Sequence, residues 1–360
     1  MSQSATPEPG PSGFADLAGL DPDGVPAGEP VIVKGTGPAL AGLLAPLTSG
    51  RGGRFVHGYD GERVYLPGGR EPLLHVGSER GVPYHPGFAH PFGGAEPPVP
   101  RFLTRETLGA GPWNFRRDVW PLVAKELAFA YYHELITARP ERARSTWEEF
   151  EEAFAGEEWG SLAMRRLVRA AVPRHPDRLD LDRLDRPLHG IRFGDLPGMG
   201  KWMRGYLAAV LERRSDPARS ADHAMVLALL SVRAVLAEAG VSDPWFREFS
   251  DHLAGGPPAS HLEELRALAA AGVVTFLGAD LKVDRYEGRW RAQTSTVPGG
   301  VTAAVLVDTG RPAWSPDSTP VPAPGPDPWT RTPRRRPAAR TEARFSRILA
   351  ATPVWGRHPT

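Results

Sequence analysis

The chain has 360 residues, with 43 Lys and Arg against 42 Asp and Glu and no cysteine. That length allows a sizeable core and about two or three domains. The near-neutral balance argues against a general nucleic-acid binder. The lack of cysteine excludes disulfides, cysteine-bound zinc, iron–sulfur clusters and thiol catalysis, and it suits a reducing, cytoplasmic setting.

Residues 1–29 are rich in Pro, Gly, Ser and acid. They carry no basic n-region and no apolar h-region, so they read as a disordered leader rather than a signal peptide.

Residues 30–116 read as the first part of a Rossmann-like nucleotide-binding unit. Val31-Ile32-Val33-Lys34 predicts a strand, Gly35-Thr36-Gly37 a tight turn, and Pro38 to about Ser49 a helix. A phosphate needs backbone N–H donors with no Cβ in the way. Gly35 allows the turn, Gly37 allows close approach of a pyrophosphate, and the helix beginning near Pro38 offers its positive end. The third position of the usual Gly-x-Gly-x-x-Gly is Leu40. Ala41 or Gly42 is expected to supply the close helix–strand contact in its place. The competing reading is a purely structural turn.

Arg54–His57 and Arg63–Leu66 flank Gly58-Tyr59-Asp60-Gly61, which has hairpin turn chemistry. Leu73–Gly77 predicts the next strand and runs into Ser78-Glu79-Arg80. Ser78 and Arg80 suit the 2′-phosphate of NADP, Glu79 suits NAD, and a solvated turn competes with both. Pro83–Pro100 reads as a long loop.

Residues 117–271 read as a helical insertion. Trp120, Val123, Leu127, Tyr131 and Leu135 form a stripe at spacings of three and four. Ser145 with Glu148, and Ser260 with Glu263, fit capping boxes. Asp243-Pro244 places a cap before a first-turn proline. Gly240, Gly255 and Gly272 are expected to close helices in the left-handed conformation. Ser220–Ala239 looks the most buried helix; its apolar run, about 224–237, is broken by Arg233 and reads as too short to span a bilayer. No membrane association is expected, and the insertion is the surface expected to meet any partner protein.

Residues 272–310 return to strands. Val273–Leu277 is apolar, Leu281–Arg285 and Arg289–Thr294 flank a Glu287-Gly288 turn, and Thr302–Asp308 is a last strand ending in Thr309-Gly310. Residues 311–360 form a Pro/Arg-rich tail read as disordered, with Arg334–Arg336 at its centre and a short helix near Glu342–Ala351.

No metal site is expected. His57, His75, His85 and His90 share a sequence window without ligand spacing, and read as solvated or hydrogen-bonded. Asp177, Asp180, Asp182 and Asp185 alternate with arginines and read as a charge-paired, solvated segment rather than a calcium loop. No residues stand out as a catalytic set.

Several segments are familiar together. Gly35-x-Gly37, Leu47-Thr48-Ser49-Gly50-Arg51-Gly52-Gly53-Arg54-Phe55, Tyr65-Leu66-Pro67, Val76–Tyr84, Asp118–Leu122, Leu179–Leu188, Gly255–Pro258 and Ala271–Gly278 resemble a bacterial family of FAD/NAD(P)-binding proteins over roughly residues 30–309. The resemblance implies a two-dinucleotide flavoprotein of the glutathione-reductase type, with an NAD(P)-binding unit inserted in an FAD-binding one. It makes Gly35, Thr36, Gly37, Pro38, Ala41, Gly42, Ser78, Arg80, Thr309 and Gly310 the cofactor-binding candidates. Val305–Gly310 resembles the segment that returns the chain to the FAD side, with Asp308 in place of the usual Ala. The family's opening FAD motif and closing FAD-contacting segment have no counterpart in this sequence. The chain is therefore expected to be the middle of the family protein, truncated at both ends, its tail the product of a shifted frame.

The expected fold is α/β: a Rossmann-like sheet with hairpin additions and a large helical insertion. The expected function is that of an FAD/NAD(P)-binding oxidoreductase retaining its NAD(P)H unit, passing hydride to flavin where FAD is bound, on an unassigned small-molecule substrate. The alternative is a non-catalytic relative acting as a nucleotide-binding or protein-interaction module.

Overall fold

A computed structural model describes residues 14–16, 21–59, 61–94 and 100–309. Its first half contains β1 (Phe14–Asp16), β2 (Pro30–Lys34), α1 (Ala39–Leu47), β3 (Arg54–His57), β4 (Arg63–Leu66) and β5 (Leu73–Gly77). A short α2 (Arg105–Leu108) precedes the helical insertion, which contains α3 (Trp120–Ala138), α4 (Trp147–Gly156), α5 (Leu162–Ala171), α6 (Leu181–Asp185), α7 (Leu196–Ser215), α8 (Ser220–Glu238), α9 (Pro244–Ala254) and α10 (Ala259–Ala270). It is followed by β6 (Val274–Gly278), β7 (Lys282–Tyr286), β8 (Arg289–Gln293), β9 (Val301–Ala303) and β10 (Val305–Asp308).

The fold is α/β, built on a five-stranded parallel sheet in the order β1-β10-β2-β5-β6. β2 lies at its centre, and Val31, Ile32 and Val33 are each 0% exposed. A strand covered on both faces reads as a continuous apolar run instead of alternating, as this one does. Successive side chains still point to opposite faces. Val31 and Val33 pack with Leu43 and Leu47 of α1, Met203 of α7 and Leu268 of α10. Ile32 packs on the other side with Leu277, Leu306, Ala292 and Ala303, where the antiparallel sheet β7-β8-β9 covers the strands. α1 sits on the sheet because Leu40, Leu43, Leu44 and Leu47 recur at helical spacing and are all buried.

The insertion has its own core. α3 packs along α8, burying Leu127, Tyr132, Leu229 and Val232 among others. The expectation of a run too short to cross a bilayer is corrected in one respect. The segment Pro217–Glu238 is long and apolar enough by length and composition, with mean hydropathy 1.4. Its apolar face packs inside the insertion, against α3.

Other expectations change in detail. Phe14–Asp16 pairs with β10, and Val25 is buried, so the span read as a structureless leader contributes to sheet and core. The first capping box is Thr146 with Glu149, one residue beyond the Ser145–Glu148 pair. α10 begins after Pro258 with no side-chain cap, so Ser260 and Glu263 form no box there. Gly255 has φ −107 and closes α9 without left-handed backbone, whereas Gly240 and Gly272 are left-handed as expected. The last strand divides in two: β9 joins the antiparallel sheet and β10 the parallel one. The tail expected at 311–360, with its basic run and short helix, lies outside the described residues, as does Gly310.

Candidate nucleotide crevice

The sheet reverses its order at β2, with β5 on one side and β10 on the other. In open α/β sheets ligands bind outside the carboxyl ends of the strands at such a switch point. A crevice of about 360 Å³ lies there, lined by residues 35–39 after β2, Ser78 and Arg80 after β5, Thr309 after β10, and also Tyr84 and Glu248.

Gly35 leaves β2 with φ +116 and donates its N–H to the Gly77 carbonyl at 2.8 Å. That backbone is open to glycine and strained for any residue with a Cβ. Thr36 follows and is buried. Its Oγ1 lies 2.8 Å from the Val82 carbonyl and 2.9 Å from Ser78 Oγ, which in turn accepts from Gly81 N–H at 2.9 Å. Gly81 is left-handed, and a Cβ there would lie 2.4 Å from the Gly278 and Ala279 backbone. The loops after β2, β5 and β6 are thus locked together. On the other flank Thr309 donates its N–H and hydroxyl to the Lys34 carbonyl at 2.8 and 3.2 Å, and Lys34 Nζ meets Asp308 Oδ2 at 3.0 Å.

α1 starts directly from this turn, with Pro38 at its N-cap and no capping side chain. Leu40 and Ala41 donate their N–H groups to the Gly37 and Pro38 carbonyls at 3.0 and 3.1 Å in a tight first turn, and the helix dipole is positive at that end. Tyr84 covers the turn: a Cβ at Gly37 would touch the Tyr84 ring at 3.4 Å. Small residues at the strand end, a helix N-terminus facing the gap and a pre-formed crevice fit the pyrophosphate of a dinucleotide.

The predicted site residues Gly35, Thr36, Gly37, Pro38, Ser78, Arg80 and Thr309 come together around this crevice. Ala41 and Gly42 do not. Ala41 is half-buried and Gly42 exposed, and the helix–sheet contact expected of them is made by leucines of α1. Arg80 is no free cation. It is 4% exposed, its Nε and Nη2 both bond Asp185 Oδ1 at 3.1 and 2.8 Å, and its Nη1 meets Glu248 Oε1 at 2.8 Å. Tyr84 ended a segment of the family resemblance without being singled out for the site, and Glu248 carried no signal in the sequence; contact across the fold places both here.

Two of the aspartates read as solvated are interior, and His85, read as solvated or hydrogen-bonded, is hydrogen-bonded. Asp177 and Asp185 are buried, and Asp185 Oδ2 accepts from Trp245 Nε1 at 2.9 Å. His85 is buried, with Nε2 3.2 Å from the Tyr206 hydroxyl. His252 is 0% exposed, and neither ring nitrogen has a hydrogen-bond partner. Burial, helped by Arg80 and Arg214 nearby, pulls its pKa from 6.5 down to about 3. Burial likewise holds His223 at about 4 and His85 well below 6.5.

No protein-family model matches the chain. It is 35% identical over 319 residues, 83% of this chain and 49% of the relative, to an L-aspartate N-monooxygenase (nitrosuccinate-forming) of Streptomyces davaonensis. It is 32% identical over 328 residues to the enzyme of that description from Streptomyces cremeus, covering 83% of this chain and 48% of the relative. A nitrosuccinic acid synthase of Aspergillus oryzae is 30% identical over 306 residues, 79% of this chain and 45% of the relative. The chain spans about half the length of the curated relatives it matches. Over that half it is homologous to N-monooxygenases, a class of oxidoreductase. That likeness does not single out the glutathione-reductase type expected from the sequence.

Proposed function

We propose that this chain holds NAD(P)H in the crevice at Gly35–Ala39, as the nucleotide-binding part of a flavin-dependent oxidoreductase acting on an amino group. The observation that carries the reading is the meeting of the glycine turn, the start of α1 and the three strand-end loops at the switch point of the sheet. The relatives' action on L-aspartate supports an amine as the reacting group.

When bound, a reduced nicotinamide supplies a hydride for flavin reduction. The residues of this chain bind and orient. The turn and the α1 N-terminus take the pyrophosphate, and Thr309 closes the β10 side. The Thr36–Ser78–Gly81 hydrogen bonds keep the crevice in shape before the nucleotide arrives. Ser78 and Arg80 face the ribose end, but Arg80 enters that role already neutralised by Asp185 and Glu248. Glu248, half exposed on the crevice wall, meets ribose hydroxyls more readily than a phosphate. Two-dinucleotide layout, with this unit set inside an FAD-binding one, remains part of the proposal.

The test is titration of purified chain with NADH and NADPH, followed by energy transfer from tryptophan to nicotinamide, and then by nucleotide oxidation with added FAD. Saturable binding with oxidation supports the oxidoreductase reading. Binding without oxidation reduces the chain to a nucleotide-binding module, and no binding of either nucleotide overturns both.

A further inference from the structure

A second cavity, of about 260 Å³, lies within the helical insertion. Tyr84 and His85 separate it from the crevice: adjacent in the chain, the first lines the crevice and the second the cavity. Much of its wall is apolar, including Leu184, Trp202, Val210, Met225 and Leu253. Arg214, 5% exposed, is also one of the lining residues.

Among the described residues no carboxylate lies within ion-pair distance of Arg214, although Asp222 acts on it through space. It donates from Nη2 to the Leu253 carbonyl at 2.9 Å and lies over the Phe88 ring at 4.1 Å. The cavity's acids are engaged elsewhere. Asp222 is held by Arg213 through two bonds of 3.0 and 2.8 Å. Asp180 caps α6, accepting from Arg183 N–H at 2.9 Å. Arg178 donates to the Val172 and Pro173 carbonyls, at 2.8 and 2.5 Å. The arginines lining the cavity thus outnumber its two aspartates, and burial draws the Arg214 pKa down from 12.5 to about 10. A buried charge is costly until an opposite charge meets it, and a concave apolar pocket with a few converging polar groups is how small-molecule sites are built.

We propose that this cavity binds a small monocarboxylate with an apolar body, its carboxylate paired with Arg214 and its body against the Leu184–Trp202–Met225 wall. The site is distinct from the nucleotide crevice and takes a different chemistry from the polar dicarboxylic amino acid named for the relatives.

The experiment is calorimetric titration of the purified chain with hexanoate, with hexanol as the uncharged twin and L-aspartate as the polar acid. Hexanoate is expected to bind saturably and to raise the melting temperature by roughly 2 °C or more. Hexanol and L-aspartate are expected to bind at least about tenfold more weakly. Arg214→Met is expected to abolish the hexanoate response with a melting temperature close to the parent's, the loss of the Leu253 and Phe88 contacts being offset by removal of a buried charge. Ala209→Trp, at an exposed position on the cavity's lining, is expected to abolish it by filling the entrance. No hexanoate binding overturns the proposal. So does equal binding of hexanol or L-aspartate, or hexanoate binding that survives both substitutions.

Discussion

Arg80 bonds Asp185 twice, from Nε and Nη2 to Oδ1 at 3.1 and 2.8 Å, joining the loop after β5 to the end of α6. Both side chains are under 10% exposed. The pair fastens the helical insertion to the nucleotide crevice, and Asp185 extends it to Trp245 on α9. Asp185→Asn leaves Arg80 buried without its main partner. Breaking a buried pair from one side costs about 3–5 kcal/mol. Urea unfolding should show a loss of that order, and an unchanged midpoint would contradict the structural role assigned to the pair.

Glu248 holds the remaining edge of Arg80 from a side chain 51% exposed, so its loss costs little stability. Glu248→Gln should turn Arg80 toward the crevice and shift preference toward NADPH over NADH. Parallel titrations with the two nucleotides measure the ratio. A ratio unchanged from the parent removes Arg80 and Glu248 from ribose recognition.

Gly35 requires its positive φ whether or not a ligand is bound. Gly35→Ala should therefore cost roughly 1–3 kcal/mol of stability and also weaken nucleotide binding. Denaturant unfolding and nucleotide titration read the two effects separately. Unaltered stability would mean that the turn relaxes to another backbone conformation.

The glycine turn was legible because its chemistry is local: a β-branched run, two glycines and a helix start lie within about ten residues. The hairpins were legible for the same reason, and Glu287-Gly288 takes positive φ at both positions. Arg80 was visible as a cation near the ribose end, but its carboxylate partners lie 105 residues away on α6 and further still on α9. Nothing at that separation is readable from spacing. Asp185 and Asp177 looked solvated because alternating charges usually are; tertiary packing buried them against arginines from other elements. The edge strand at Phe14–Asp16 was hidden because three residues in a Pro/Gly-rich context carry no periodicity.

His252 and His223 give the fold an acid sensitivity whose direction is fixed. Both have folded pKa values, about 3 and about 4, below the ordinary 6.5. Between those values and 6.5 the unfolded chain binds protons that the folded chain refuses. Stability is therefore full above about pH 6.5 and falls as pH drops, by roughly 1.4 kcal/mol per pH unit for the fully buried His252 until about pH 3, and by less for the partly solvated His223, whose contribution ends near pH 4. His252→Gln should flatten the slope between pH 6 and about 4 in urea midpoints taken across pH. A slope identical to the parent's would show that His252 is already protonated in the fold.

The central claim is that the turn at Gly35–Gly37 receives a dinucleotide pyrophosphate, and Gly37→Ala tests it most directly. An added Cβ there makes only ordinary contact with Tyr84, 3.4 Å away, and Gly37 carries no positive φ, so the fold should be unaffected. The methyl group would nonetheless stand where the phosphate must approach the backbone. The account predicts an unchanged melting temperature with NADH and NADPH affinity reduced by about tenfold or more. A Gly37→Ala chain that binds either nucleotide as tightly as the parent would contradict it.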